Sequence, residues 1–257
     1  MDSGNVIMIE LYELKKSFYN QDVLNGINLT IPHGRTTVIL GQSGCGKSVL
    51  LKVILRLLSL DDGKIIIDGE DTTDYSESEM MPIRRRVGML FQGSALFDSM
   101  TVWENVAYPL LEHRLETWDE IDQRVINLLR FVDMEDAITK LPGALSGGMK
   151  KRVALARALV TNPDFVFYDE PTTGLDPITA SKINQLIIST REKYETTSVV
   201  VTHDMVSALT VGDFFAFLNN GTIQFSGEKD EFLHSDVPEL IEFLEKAAPK
   251  HYVNTFA

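Results

Sequence analysis

A short glycine-rich segment, residues 41–48 (GQSGCGKS), constrains the fold of this chain most strongly. It follows a β-branched run, residues 36–40 (TTVIL), and precedes an apolar pattern with helical spacing, residues 49–58. Glycines let a backbone curl around an anion, and the N-terminus of a helix points its N–H groups at the same anion. In such a loop Lys47 can reach terminal phosphates, and the Ser48 hydroxyl can bind Mg²⁺. A plain flexible loop is the alternative, but the flanking strand and helix favour a site for a nucleoside triphosphate.

Composition limits the classes of function. The chain has 257 residues and a net charge of −13, from 24 basic and 37 acidic residues. An acidic surface is repelled by phosphate backbones, so the composition disfavours a general nucleic-acid binder. Short basic runs at 84–86 and 150–152 favour solvated faces or phosphate contacts within a site. Cys45 is the only cysteine, which excludes an intrachain disulfide and fits a reducing compartment.

The order of strand and helix patterns predicts an α/β protein. Continuous apolar runs at 165–168 and 198–201 are typical of parallel strands buried on both faces. Helical spacing is found at residues 119–131, 149–160 and 178–193. This alternation predicts a mostly parallel, doubly wound core. Turn signals predict antiparallel hairpins at 68–69 and 219–221, and residues 6–32 predict two or three further strands.

Two adjacent acids, Asp169 and Glu170, follow the apolar run at 165–168. The carboxyl ends of such strands are where α/β sheets bind ligands. Asp169 can therefore hold Mg²⁺, directly or through water. Glu170 can polarise a water for attack on the γ-phosphate, a role that typically contributes ~10²–10⁴ in rate. An ordinary exit from strand to turn is the alternative, and the phosphate loop upstream favours the catalytic interpretation.

A second glycine-rich segment, residues 145–149 (LSGGM), directly precedes a predicted basic helix that runs to Val160. A serine and two glycines before a helix can form a second anion nest. The alternative is structural: Ser146 caps the helix and the glycines turn the chain.

These segments together resemble an ATP-binding cassette (ABC) ATPase, in order from about Leu11 to Gly227. The resemblance rests on GQSGCGKS, LSGGM, FVFYDEPTTGLDP at 165–177, a glutamine at 92 and a histidine at 203. It implies a P-loop NTPase core with a mostly parallel sheet, an antiparallel β flank and a helical subdomain. It also places Lys47 and Ser48 in the Walker A loop and Asp169 in Walker B. The other implied nucleotide contacts in the loop are Gly41, Ser43, Gly44, Cys45, Gly46 and Val49.

The resemblance assigns the chemistry of ATP hydrolysis to three residues. Glu170 corresponds to the catalytic carboxylate, and Gln92 to the Q-loop residue that contacts Mg²⁺ and the attacking water. His203 corresponds to the switch histidine, which contacts the γ-phosphate. Phe18 falls where the family stacks an aromatic ring on adenine, with Tyr19 as the nearby rival. A packed strand residue is the alternative for Phe18.

The resemblance further implies a dimer that holds two ATP molecules. Ser146, Gly147 and Gly148 match the signature motif, which completes the ATP site of a second subunit, and Asp176 matches the D-loop. The motif ends in Met149 where the family usually has glutamine. One copy of each motif argues for a homodimer and against tandem-cassette translation factors. The lack of coiled-coil arms argues against chromosome-maintenance and DNA-repair ATPases, while a cytosolic iron–sulfur assembly ATPase stays an alternative.

The segment after the Q-loop, residues 91–110 (FQGSALFDSMTVWENVAYPL), resembles the cassette subunit of MCE-type (Mla-like) lipid transporters. Its apolar residues suit a groove for a permease helix, and internal packing is the alternative. The resemblance implies transport of phospholipid or a related lipid between membranes. The implied partners are an integral-membrane permease, an MCE-domain protein and a small regulatory subunit, without nucleic acid. A cassette of an amino-acid or other small-solute importer is the chief alternative.

We expect one ABC ATPase domain at 1–247, with a helical subdomain at about 93–160 and a C-terminal tail at 248–257. The N-terminus lacks the basic start and apolar core of a signal peptide. No window approaches the ~20 continuous apolar residues of a membrane span. We therefore expect a soluble chain, bound peripherally on the cytoplasmic side of the inner (plasma) membrane.

Overall fold

The computed structural model describes residues 8–19, 21–113 and 117–247. The chain divides into two compact units. The first comprises residues up to Pro82 together with those from Thr197 onward, and the second comprises Ile83–Thr196. None of the described helices combines the length and the apolar character that crossing a bilayer requires.

The strands, numbered along the chain, are β1 (Ile9–Phe18), β2 (Gln21–Ile31), β3 (Thr36–Leu40), β4 (Asp62–Ile67), β5 (Glu70–Asp71), β6 (Val87–Leu90), β7 (Phe165–Asp169), β8 (Thr197–Thr202), β9 (Phe214–Asn219) and β10 (Thr222–Glu228). The helices are α1 (Lys47–Ile54), α2 (Glu77–Arg85), α3 (Val102–His113), α4 (Trp118–Phe131), α5 (Gly147–Leu159), α6 (Pro177–Tyr194), α7 (Met205–Val211), α8 (Lys229–Leu233) and α9 (Pro238–Ala247). Short 3-10 turns lie at Glu135–Ala137 and Pro142–Ala144.

The first unit contains an antiparallel sheet and a mostly parallel one. The antiparallel sheet has the strand order β2-β1-β4-β5. In the other sheet β3 pairs in parallel with β8 and β9, and β10 pairs with β9 in antiparallel fashion. Every residue of β3 and β8 is buried, as expected for strands covered on both faces. The segments that follow β3 and β8 therefore leave the sheet at one edge.

The second unit is built around α5 and a parallel pair of strands. Strand β7 is buried at every position and pairs in parallel with β6. Helix α5 packs against β6 and against α3. Gly88 on β6 permits this close approach, because a Cβ there would lie 2.4 Å from the Ala158 carbonyl oxygen. The helix that begins at the signature glycines is thus a core element of this unit.

The fold class predicted from the sequence is confirmed, and two helix boundaries differ from their predictions. The helical spacing at residues 49–58 predicts a longer helix than the structure has, because α1 ends at Ile54 and β4 begins only at Asp62. Arg56 has a left-handed φ of 54° and the Leu57 N–H bonds to the Lys52 carbonyl, which closes the helix early. Helix α5 begins earlier than its apolar spacing indicated, and α2, α3 and α7 were not predicted. The subdomain boundary at about 93–160 stays a prediction, and the tail at 248–257 lies outside the described residues.

Candidate functional site

The phosphate loop connects buried β3 to α1 as the sequence predicts. Gly44 and Gly46 have φ values of 82° and 104°, which side chains rarely allow, and Gly46 is the N-cap of α1. Gly41 needs to be glycine for another reason: a Cβ there would lie 2.3 Å from the Leu218 carbonyl oxygen. The loop is therefore held against β9 while Ser43 and Gly44 stay exposed. Its backbone N–H groups lie at a helix N-terminus, which is a favourable place for an anion.

Lys47 places a buried cation within this loop. Only 5% of the residue is exposed. Its Nζ donates hydrogen bonds to the carbonyl oxygens of Gly41 and Gln42, at 2.9 Å each, and lies 3.9 Å from the Cys45 sulfur. Ser48 and Val49 occupy the first turn of α1 and are half-buried. The arrangement keeps the ammonium group among the loop carbonyls, where it is positioned to neutralise a phosphate.

A cavity of about 400 Å³ adjoins the loop within the first unit. Its lining consists of residues 42–45, 21–23 and 219–221. Phe18 ends β1, is 37% exposed, and has the Lys16 Nζ at 5.4 Å from its ring centroid. Tyr19, the rival for adenine stacking, is fully exposed in the turn. Both aromatics are thus accessible from solvent, and the assignment to adenine stays a prediction.

His203 lies beside the phosphate loop in the order of strands. It directly follows β8, as Gly41 directly follows β3, and Leu40 is opposite Thr202 in the parallel register. Parallel strands in register bring their next residues out at the same edge. His203 is exposed there. The structure therefore brings the predicted switch histidine to the sheet edge that carries the phosphate loop.

The predicted acids and the Q-loop glutamine occupy the corresponding edge of the second unit. Asp169 is the last residue of β7 and Glu170 follows it, and they are 5% and 8% exposed. Leu90 is opposite Tyr168, so Gln92 and Glu170 each stand two residues past this register pair. Glu170 has a left-handed φ of 48°, uncommon for a residue with a side chain. Its carboxylate accepts a 2.9 Å hydrogen bond from the Thr173 hydroxyl.

Lys151, in a run that we expected to be solvated or to contact phosphate, is instead buried. Only 4% of the residue is exposed. Its Nζ donates to the carbonyl oxygens of Gln92 at 2.5 Å, Phe91 at 3.3 Å and Glu170 at 3.3 Å. Burial lowers the pKa of Lys151 to about 8, and the nearby carboxylates of Asp169 and Glu170 oppose this shift. The spacing of α5 could have revealed it, because position 151 shares a helix face with buried residues 154, 155 and 158.

The structure bears out the structural interpretation of the signature segment, and the binding of an anion there stays a prediction. Ser146 is the N-cap of α5, and its Oγ accepts a 3.3 Å hydrogen bond from the Met149 backbone N–H. This cap uses a backbone group, so the departure from glutamine at Met149 leaves it unaffected. Ser146 and Gly147 are nevertheless exposed at a helix N-terminus. Gly148 is buried, with a hypothetical Cβ 2.3 Å from Cγ2 of Thr179.

Asp176 is the N-cap of α6. Its carboxylate accepts backbone hydrogen bonds from Ile178 and Thr179, at 3.0 Å each, and a 2.6 Å hydrogen bond from the Thr179 hydroxyl. These hydrogen bonds, the one from the Thr179 side chain above all, lower the pKa of Asp176. Thr179 therefore contacts both the D-loop residue and the signature glycine Gly148, a link that the motifs did not indicate.

The comparison with protein families agrees with this geometry. A family model described as "ABC transporter" matches residues 24–173, more than half of the chain. The chain belongs to the ABC transporter family. It is an ATP-binding cassette, and as such an ATP-hydrolysing enzyme.

Two named relatives cover most of the cassette. It is 41% identical over 238 residues to "Probable ribonucleotide transport ATP-binding protein mkl" of Mycobacterium tuberculosis (strain ATCC 25618 / H37Rv). That match covers 93% of this chain but 66% of the relative, just under two thirds. The cassette is also 36% identical to "Intermembrane phospholipid transport system ATP-binding protein MlaF" of Haemophilus influenzae, over 93% of this chain and 91% of the relative.

A solved structure supports the same assignment. The ATP-binding cassette MJ0796, a dimer in a post-hydrolysis state bound to ADP and Pi, superposes with a TM-score of 0.79. The two are 33% identical, and the match covers 86% of this chain and 98% of that one.

Proposed function

We propose that this cassette is the motor subunit of a transporter that moves phospholipid or a related lipid between membranes. The observation that carries the proposal is the match to MlaF. The name of MlaF describes it as part of an intermembrane phospholipid transport system, and the match covers 91% of its length. The mycobacterial relative is named for ribonucleotide transport, and only 66% of it is matched. The segment 91–110, which resembles cassettes of lipid transporters, favours lipid over a small solute.

The proposal assigns nucleotide binding to the phosphate loop. Lys47 neutralises the terminal phosphates, the loop N–H groups bind their oxygens, and an exposed aromatic, Phe18, stacks on adenine. The family resemblance assigns Mg²⁺ to the Ser48 hydroxyl and to the buried Asp169 carboxylate, and Mg²⁺ prefers oxygen ligands of this kind. Gln92 is a further Mg²⁺ contact in this assignment. The ion supplies charge neutralisation at the β- and γ-phosphates.

The proposal assigns the chemical step to Glu170. Its carboxylate acts as general base toward the attacking water, with Gln92 and His203 orienting the water and the γ-phosphate. The hydrogen bond from the Thr173 hydroxyl fixes the direction of the carboxylate. A base held in one direction lowers the cost of ordering the reacting groups.

The cassette acts as a homodimer in this proposal. Ser146 and Gly147 are exposed at the N-terminus of α5, where they can bind the nucleotide of a second copy. Asp176 lies at the D-loop of the same interface. The dimeric form of MJ0796 supports this arrangement.

The proposed membrane partner is a permease that docks on the second unit. Phe97 and Leu141 are 41% and 48% exposed there, and Trp118 is 65% exposed and stacks on Trp103 with ring centroids 5.4 Å apart. Exposed aromatics of this kind are favourable anchors for a partner helix. An MCE-domain protein and a small regulatory subunit complete the proposed complex. The cassette itself would lie peripherally, at the cytoplasmic face of the inner membrane.

Purification from membranes tests this function. The tagged cassette is isolated from detergent-solubilised membranes, and its co-purifying proteins and lipids are identified by mass spectrometry. A tagged small-solute importer cassette from the same cells is the matched control. We expect a permease, an MCE-domain protein and a phospholipid enriched over the control. A soluble solute-binding protein without an MCE-domain protein would refute lipid transport, and ribosomes or DNA would refute a transport role.

A further inference from the structure

The Lys151 ammonium group links two motifs of the second unit. It carries three N–H donors and makes three hydrogen bonds to carbonyl oxygens. Two of these carbonyls, from Phe91 and Gln92, belong to the Q-loop, and the third belongs to Glu170. All three donors of the side chain are therefore used on the backbone of the Q-loop and of Glu170.

Glu170 and the segment that follows the Q-loop both contain residues in an uncommon backbone conformation. Glu170 has a φ of 48°, and in the segment after the Q-loop Ser94 and Ala95 have φ values of 63° and 51°. Left-handed conformations of residues with side chains are unfavourable and persist only where the surroundings enforce them. Lys151 holds the Glu170 carbonyl, and Arg157 donates to the carbonyls of Ser94 at 3.0 Å and Ala95 at 2.8 Å. Basic side chains of one helix, α5, thus donate hydrogen bonds to the carbonyl oxygens of all three of these residues with left-handed φ.

We propose that Lys151 is a positioning residue for ATP hydrolysis, which fixes the Q-loop backbone and the Glu170 backbone relative to each other through the second turn of α5. The inference rests on the proposed role of Glu170 as the base. Lys151 touches neither nucleotide nor water in this role. It acts by holding the backbone of Gln92 and of Glu170 in place, and the position of that backbone sets the direction of the two side chains. Because the signature motif starts the same helix, α5 also connects that motif to both.

Neutral replacement and conservative replacement should differ. Lys151→Met keeps much of the buried length but leaves three buried carbonyls without this donor, and misplacement by about 1 Å can cost on the order of 100-fold in rate. Lys151→Arg keeps the charge and offers several donors, so it can restore most of the contacts. Nucleotide contacts of the phosphate loop are absent from this network, so affinity for ATP should change little.

The test compares full-length wild type with Lys151→Met, Lys151→Arg and Lys150→Met. Lys150 is the matched control, since it is adjacent on α5 and half-buried. For Lys151→Met we expect kcat to fall about 10- to 100-fold while the KM for ATP stays within about threefold. Hydrogen exchange should accelerate in residues 91–95, where the Ser94 N–H bonds to the Phe91 carbonyl. Lys151→Arg should recover most of kcat and of the protection, and Lys150→Met should resemble wild type.

Several outcomes would overturn the inference. One is a kcat of Lys151→Met within about twofold of wild type, and another is a loss of kcat with unchanged exchange at 91–95. If Lys151→Met does not fold, Lys151→Gln replaces it. If Lys151→Gln and Lys151→Arg do not fold either, the residue is a determinant of stability only, and the inference is overturned. Glu170→Gln is measured in parallel. Full turnover in that variant would refute the proposed base, whereas the exchange result would still report whether Lys151 holds the Q-loop.

Discussion

Replacing Gly148 by alanine should destabilise the second unit, although alanine usually favours a helix. Gly148 lies in the first turn of α5, and its φ is not in the left-handed region. The obstacle is steric, because the added Cβ would be 2.3 Å from Cγ2 of Thr179. Thr179 cannot turn away freely, since its hydroxyl is bound to Asp176 at 2.6 Å. A Cβ added at the adjacent Gly147 would have its nearest neighbouring atom at 3.4 Å, so Gly147 offers a matched control.

The magnitude follows from two opposing terms. Glycine to alanine within a helix gains roughly 0.5–1 kcal/mol. Overpacking a filled site costs typically ~1–3 kcal/mol. Taken at their midpoints, the two terms leave Gly148→Ala with a net loss of about 1 kcal/mol, which corresponds to a Tm decrease of roughly 2–4 °C for a chain of this length. Gly147→Ala should leave Tm unchanged or slightly raised.

Thermal unfolding of the nucleotide-free chain, followed by circular dichroism, measures these shifts. The double variant Gly148→Ala/Thr179→Ser provides the decisive comparison. Serine removes the Cγ2 methyl group but keeps the hydroxyl bound to Asp176, so it should restore most of the lost Tm. The reasoning is refuted if Gly148→Ala is as stable as Gly147→Ala, or if the serine exchange restores nothing.

Three further outcomes follow from the structure. Glu170→Gln should keep ATP binding and lose most turnover, and steady-state hydrolysis within about threefold of wild type would contradict the assignment of the base. Lys47→Ala should weaken nucleotide affinity itself, because the cation in the loop is removed; unchanged affinity in calorimetry would argue against it. Asn105→Ala should lower the free energy of unfolding by about 1–3 kcal/mol, since the buried amide bonds the backbone of Phe97, Met100 and Thr101, and denaturant titration checks this.

Local turn chemistry made parts of this fold predictable. A two-residue hairpin turn of type I′ needs a positive φ at both central positions, which Asp-Gly and Asn-Gly supply best. The structure shows this at residues 68–69, with φ values of 55° and 78°, and at residues 220–221, with 50° and 75°. Arg56 and Glu170 adopt left-handed φ without any such residue preference. Arg56 takes this conformation where the Leu57 N–H bonds to the Lys52 carbonyl at the end of α1, and the Glu170 carbonyl is held by Lys151, 19 residues earlier in the chain. The residue types at these two positions therefore carry no signal for it.

For Lys151, helical spacing and charge give opposite predictions of whether the side chain is buried or exposed. A run of three basic residues favours a solvated face when only composition is considered. Helical spacing separates the three: Lys151 lies on the buried face of α5, Lys150 is half-buried, and Arg152 reaches the carbonyls of Val132 and Asp133. A cation at a core position must find acceptors, because an unpaired buried charge is too costly to keep. Since backbone carbonyls at strand ends are such acceptors, a lysine at core spacing after a signature motif predicts a backbone contact, and α5 contains one.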